Sequence, residues 1–93
     1  MKKYAKQIVE RDNVATCVAD VFAGEEIYIK IKGEETAYKA NNDIPFGHKI
    51  AISEIKTGEF IYKYGEAIGK ATQNIKIGDW VHVHNVVDHY EVI

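Results

Sequence analysis

The 93-residue sequence contains one cysteine, one proline and no long apolar run. Cys17 has no partner within the chain, so no internal disulfide forms and a reducing compartment, by default the cytoplasm, is expected. No stretch approaches the about 20 apolar residues of a bilayer-spanning helix, so a membrane is not an expected partner. Met1-Lys2-Lys3-Tyr4 leads into mixed residues rather than an apolar core, and no signal peptide is expected. An excess of basic charge is also missing. Lys and Arg number 12 against 14 Asp and Glu, a formal charge of -2, which offers no field to hold a nucleic-acid backbone. There is no Cys-x-x-Cys, no glycine-rich phosphate loop and no serine in a nucleophile setting. Helix signals are scarce. Only residues 50–55 and 3–10 could turn helically, and both suit an extended chain equally well.

What remains describes a small β protein. A hydrophobic content of 46% excludes a disordered chain, and the length allows one domain over residues 1–93. A domain of this size buries only about 60% of its unfolded surface, so a partner covering further apolar area would stabilise it. Residues 14–19 are rich in β-branched and small side chains behind the turn formers Asp12-Asn13, and predict a strand. A turn over 21–26, a strand over 27–31, a turn at 33–35 and an extended piece over 36–40 follow. Residues 41–48, Asn-Asn-Asp-Ile-Pro-Phe-Gly-His, read as a loop in which Pro45 fixes φ and Gly47 can take a positive φ. Ile55-Lys56-Thr57-Gly58-Glu59-Phe60-Ile61 is echoed by Ile75-Lys76-Ile77-Gly78-Asp79-Trp80-Val81, and more loosely by residues 21–27. Such segments are chain reversals: an aliphatic packs inward, a glycine takes the awkward angle, and a new strand begins. The class is all-β, folded over on itself, with little helix.

Histidine is the residue most able to carry chemistry here. His48 lies in the loop, and His82, His84 and His89 lie near the end. Alternation through Trp80-Val81-His82-Val83-His84-Asn85 predicts a strand with His82 and His84 on one face, where two imidazoles can reach one ion or one anion. Taken alone, a His-x-His pair on a half-exposed strand is more often just a plain polar face. Its joining with His48 depends on the fold. His89, beside Asp88 and Tyr90, reads as a solvated tail. Lys49, and Lys63 between Tyr62 and Tyr64, could bind a carboxylate or simply point to water. Cys17, in an apolar strand without a neighbouring base, reads as a buried inert thiol.

Four blocks, in order, add to this reading: Ile44-Pro45-Phe46-Gly47-His48-Lys49-Ile50-Ala51, Lys63-Tyr64-Gly65, Ile68-Gly69-Lys70-Ala71-Thr72, and Gly78-Asp79-Trp80-Val81-His82-Val83-His84-Asn85. Together with Asp12-Asn13-Val14-Ala15-Thr16, they resemble the SAF domain of the altronate/galactarate dehydratase family over roughly residues 10–86. The resemblance implies a β-clip fold of short strands, which agrees with the repeated corners. It also implies a lyase: dehydration of acid sugars such as altronate or galactarate, or elimination of sulfite from sulfolactate in a close branch. The implied cofactor is a divalent metal, iron or manganese. The implied partners are a small acidic substrate and a large catalytic region, on another polypeptide or beyond these residues, without which this component is inactive. Carried over block by block, His48, His82 and His84 become candidate catalytic groups and shared metal ligands, and Lys49, Lys63, Tyr64 and Asn85 candidate substrate-binding residues.

In such an elimination the α-proton leaves a carbon beside a carboxylate, and the developing enediolate needs cationic help. The resemblance leaves open which histidine does what. Two other functions stay open. SAF-type domains also occur appended to unrelated proteins, so the chain could be a non-catalytic module that binds a sugar acid or positions a partner. Its exposed strand edges could also serve self-association as a homo-oligomer.

Overall fold

Alternating apolar residues broken by glycines give strands of two to six residues and, among the described residues, no helix and hence none able to cross a membrane. The computed structural model describes residues 2–31 and 33–88. One antiparallel sheet has the order β1 (Ala5–Lys6), β2 (Val14–Cys17), β5 (Lys49–Ala51), β8 (Trp80–Val81). A hairpin pairs β3 (Glu26–Ile31) with β4 (Glu34–Lys39). A third sheet has the order β6 (Phe60–Lys63), β7 (Glu66–Ala71), β9 (Val86–Asp88). The all-β expectation holds. The helical option at 50–55 is not taken, because Ile50 and Ala51 pair with Ala15 and Val14. Only Gly33 of the expected 33–35 turn lies outside β4.

Corners of the repeated pattern number four rather than three among the described residues. Each opens on a buried small residue (Cys17, Ala40, Ala51, Ala71), followed by a buried aliphatic (Val21, Ile44, Ile55, Ile75), a glycine (Gly24, Gly47, Gly58, Gly78) and a second buried aliphatic (Ile27, Ile50, Ile61, Val81). The additional copy is the stretch 41–48, expected to be a loop. Its Ile44 is 1% exposed and bridges Val21, and Gly47 has φ 84°. The four glycines lie between φ 84° and 94°, each the third residue of a turn closed by a backbone bond such as His48 N to Pro45 O (3.0 Å). Positive φ at that position is what a type II turn requires.

The corners lock in pairs. Gly24 N donates to Ala40 O and Ala40 N to Glu25 O (2.8 and 2.9 Å), while Gly47 N donates to Cys17 O and Cys17 N to His48 O (both 2.8 Å). Gly58–Glu59 grips Ala71, and Gly78–Asp79 grips Ala51, in the same manner. The first pair of corners encloses one apolar cluster with Val21, Ile27, Ile44 and Ile50, the second another with Ile55, Ile61, Ile75 and Val81. Each such side chain contributes about 1.5–3 kcal/mol on burial. β2 and β5 join the two halves. Cys17 is fully buried and burial pushes its thiol up to about 11, so it is an inert core residue as expected.

The corner glycines differ in what surrounds them. At Gly58 (φ 87°) a Cβ would meet nothing within 4 Å, whereas at Gly78 it would collide with the carbonyl oxygen of Lys39 and crowd Asn41. Gly58→Ala should therefore cost only the left-handed strain, about 1–2 kcal/mol, measured by urea unfolding. Gly78→Ala should cost more than twice as much. Equal losses at both sites would refute the close approach.

Candidate functional site

One corner departs from the others. In three of them the residue after the glycine is an acid that accepts the N–H at the start of its own turn: Glu25 from Phe22 (2.8 Å), Glu59 from Lys56 (2.7 Å) and Asp79 from Lys76 (2.8 Å). In the remaining corner the residue is His48, and the turn starts at Pro45, which has no N–H to offer. The proline removes the donor, so position 48 is released from capping. The next amide, Phe46 N, is taken by Asp20 of the paired corner (2.8 Å).

The released imidazole meets the end of the chain through strand register. β5 and β8 pair antiparallel with Lys49 opposite Val81, and one step further along places His48 opposite His82. Their ring centroids lie 4.5 Å apart. Trp80 completes the cluster: its indole N–H donates to His48 Nδ1 (3.1 Å), His82 stacks on it at 5.4 Å and 7°, and His84 lies 5.0 Å away. The fold thus brings His48, His82 and His84 together around one indole.

The expected strand over 80–85 needs correction. β8 ends at Val81, and residues 82–85 form a tight turn closed by Asn85 N to His82 O (3.1 Å). His82 and His84 share Trp80, not a pleated strand face. Val83 between them stands at the tip, 81% exposed. Asn85, a candidate substrate-binding residue, is buried and builds the turn. Its Oδ1 accepts from His82 N (3.0 Å) and its Nδ2 donates to Trp80 O (2.8 Å). Two hydrogen bonds in one amide explain the asparagine without a ligand.

Lys49, His82 and Asp88 line a groove of about 260 Å³ together with the aliphatics Ile61, Ile68, Val81, Val83 and Val86. Burial, then the nearby charge of Lys63, lowers the Lys49 pKa below the usual lysine range. His82 is held below the usual imidazole range, first by desolvation and then by His48, Lys49 and His84. Lys63 lies over the Tyr64 ring at 5.1 Å. Tyr64 (φ 56°) and Gly65 (φ 77°) form the two-residue turn between β6 and β7, held by Asp12, whose carboxylate accepts from Tyr64 N (3.1 Å) and Gly65 N (2.8 Å). Both angles are positive, as in a type I′ hairpin turn. The Lys63–Tyr64–Gly65 block is thus explained by the hairpin, and Lys63 reaches the site electrostatically through Lys49.

A larger depression of about 530 Å³ lies by Lys2, Lys3 and Tyr28, but Lys2 pairs with Glu35 (2.9 Å) and Lys3 with Glu25 (2.8 Å). The imidazole cluster is therefore the stronger candidate. Among the described residues no group of three His, Cys, Asp or Glu side chains is placed to hold a metal ion, and His48 Nδ1 is already engaged. The three histidines do not form a complete metal site by themselves. His89 lies outside the described residues. Trp80 and Pro45 were not foreseen as site residues. Overlaying Ile44-Pro45-Phe46-Gly47-His48 on the other corners would have singled out Pro45 and His48.

The fold is that of a small all-β domain built from glycine corners. The altronate/galactarate dehydratase SAF domain family matches residues 3–89, and the chain belongs to that family. It is 40% identical over 85 residues to altronate dehydratase of Bacillus subtilis, which covers 91% of this chain and 16% of the relative. It is 36% identical over 74 residues to altronate dehydratase of Escherichia coli, 80% of this chain and 14% of that one. With (2R)-sulfolactate sulfo-lyase subunit alpha of Paracoccus pantotrophus it shares 46% over 46 residues, half of this chain and 69% of the relative. The chain therefore spans about a sixth of the Bacillus dehydratase's length and about two thirds of the sulfo-lyase subunit's.

Two expectations follow. Asn85→Ala leaves a backbone N–H and a carbonyl of the turn without partners and should cost about 1–3 kcal/mol by urea unfolding, with the His82 and His84 proton signals shifting together. An unaltered midpoint would contradict the structural role. For His82, the folded pKa lies below the unfolded value of about 6.5, so the unfolded chain takes up its proton first. Stability is then complete above that pH and declines as pH falls through it toward the folded pKa. In His82→Gln this part of the acid loss should disappear, seen as a shallower fall in melting temperature between about pH 7 and pH 5.

Proposed function

We propose that this chain is the small component of a hydro-lyase or sulfo-lyase acting on a hydroxy acid, and that it supplies one wall of the active site. The observation that carries the reading is His48 and His82, 4.5 Å apart across the β5–β8 register, with the Lys49 ammonium beside them at a groove lined mainly by aliphatic side chains, with Asp88 also in its lining. An ammonium set in apolar surroundings pairs with a carboxylate more strongly than one in open water. Imidazoles next to it can donate to, or take a proton from, the carbon and hydroxyl that an elimination separates. Lys63 adds positive charge from behind Lys49. The substrates suggested by the relatives' names are altronate and sulfolactate, both carrying a carboxylate next to a hydroxyl. The divalent ion of the reaction, iron or manganese, belongs in this reading to the large catalytic subunit, because the described residues hold no three-ligand set. That same observation favours, as a second reading, a module that binds the acid without taking part in its turnover.

A chimera separates the two. The matching segment of the Bacillus subtilis altronate dehydratase is replaced by this chain, and altronate dehydration is measured. The chimera should turn over altronate, and His48→Ala or His82→Ala within it should lower kcat/KM by about 10²–10⁴-fold with unchanged circular dichroism. Full kcat/KM in both variants would leave only the binding or structural roles.

A further inference from the structure

We infer that Trp80 is a positioning residue that fixes the tautomer of His48, so that the neutral imidazole carries its proton on Nε2 and meets a ligand oxygen as a hydrogen-bond donor. The indole N–H can only donate. Its partner at 3.1 Å, His48 Nδ1, must therefore present a lone pair, and a neutral imidazole with its lone pair at Nδ1 has its hydrogen at Nε2. Both partners are held independently of each other. The His48 backbone is tied by its own N–H to Pro45 O (3.0 Å) and by its carbonyl to Cys17 N (2.8 Å). The Trp80 backbone N–H donates to Asn42 Oδ1 (3.0 Å), and its ring is stacked by His82. The contact is partly buried, which strengthens it and excludes the water that would otherwise compete for Nδ1.

The consequence divides the labour among the histidines. While the indole bond stands, neutral His48 has no free lone pair, so it neither removes a proton nor ligates a metal ion. It offers Nε2–H to an acceptor, and a carboxylate or developing oxyanion is the group that such a donor stabilises most. Base chemistry within this chain then falls to His82 or His84. This inference goes beyond the lyase reading and does not depend on it, since the tautomer is a property of the folded chain alone.

The test is two-bond 1H–15N correlation NMR of the uniformly labelled 93-residue chain at about pH 8, where imidazoles are neutral. His48 should show only the Nε2–H pattern, assigned apart from His82, His84 and His89 by their own cross-peaks. Trp80→Phe keeps an aromatic ring but loses the donor, and there a fraction of His48 should move to Nδ1–H. In the unaltered chain the Trp80 indole proton should exchange with solvent about tenfold more slowly than in His48→Ala. An Nδ1–H pattern at His48 in the unaltered chain would overturn the assignment. So would an indole proton that exchanges equally fast in both proteins. These readouts need no substrate and no partner, so their failure would leave the lyase reading to the chimera.

Discussion

Everything in this fold depends on the reciprocal grip between corners. A backbone that turns back on itself every ten or so residues would leave many N–H and C=O groups without a ladder, and a buried unpaired amide costs about as much as a hydrogen bond is worth. The chain meets this by having each glycine corner bond to the small residue that opens its partner: Gly47–His48 with Cys17, Gly24–Glu25 with Ala40, Gly58–Glu59 with Ala71, Gly78–Asp79 with Ala51. These four buried positions hold small side chains, and the aliphatics on either side of each glycine pack into one of the two apolar clusters. The strands are short because the corners, rather than long ladders, hold the chain.

The same constraint explains how a site arises on so small a scaffold. Three corners use an acid to hold their own first amide, so that side chain is committed to structure. Pro45 removes the amide from the fourth, and the position after the glycine can then carry an imidazole at no cost in unpaired donors. Asn41 and Asn42, just ahead of Pro45, bond across to Ile77 O, Asp79 and Trp80 N, which draws the Pro45 corner and the Gly78 corner together. His48 and Trp80 are neighbours because the two halves are stitched at this seam. The His48 backbone is held on both sides, by its N–H to Pro45 O and by Cys17 N to its carbonyl.

How much of this was legible in the sequence follows from which signals are local. The β class and the corner at residues 75–81 were readable, since glycine, acid and aliphatic spacing is a local pattern. The corner at 44–50 was masked by Pro45 and by His48 standing where an acid stands elsewhere, and it read as a loop. The alternation through Val81, His82, Val83 and His84 implied a continuing strand. Alternation cannot reveal that Asn85 folds its amide back onto His82 N and Trp80 O to end that strand. The meeting of His48 with His82 lay beyond any local pattern, because it depends on the β5–β8 register. Trp80 passed for a corner aromatic like Phe60, and only its indole bond to His48 distinguishes the two.

The relatives put a further constraint on what the cluster can be. The same unit matches about a sixth of one long dehydratase chain and much of a separate sulfo-lyase subunit. A unit that serves both attached and detached must carry its geometry within itself, because a tether cannot be relied on to shape it. The cluster meets that requirement: the His48 backbone, the Trp80 backbone and the 82–85 turn are each fixed by bonds inside the chain. What it presents outward is three imidazoles around one indole, with Lys49 beside His82 at the edge of a groove. Side chains held in place in this way lose little further entropy when a ligand or another surface meets them.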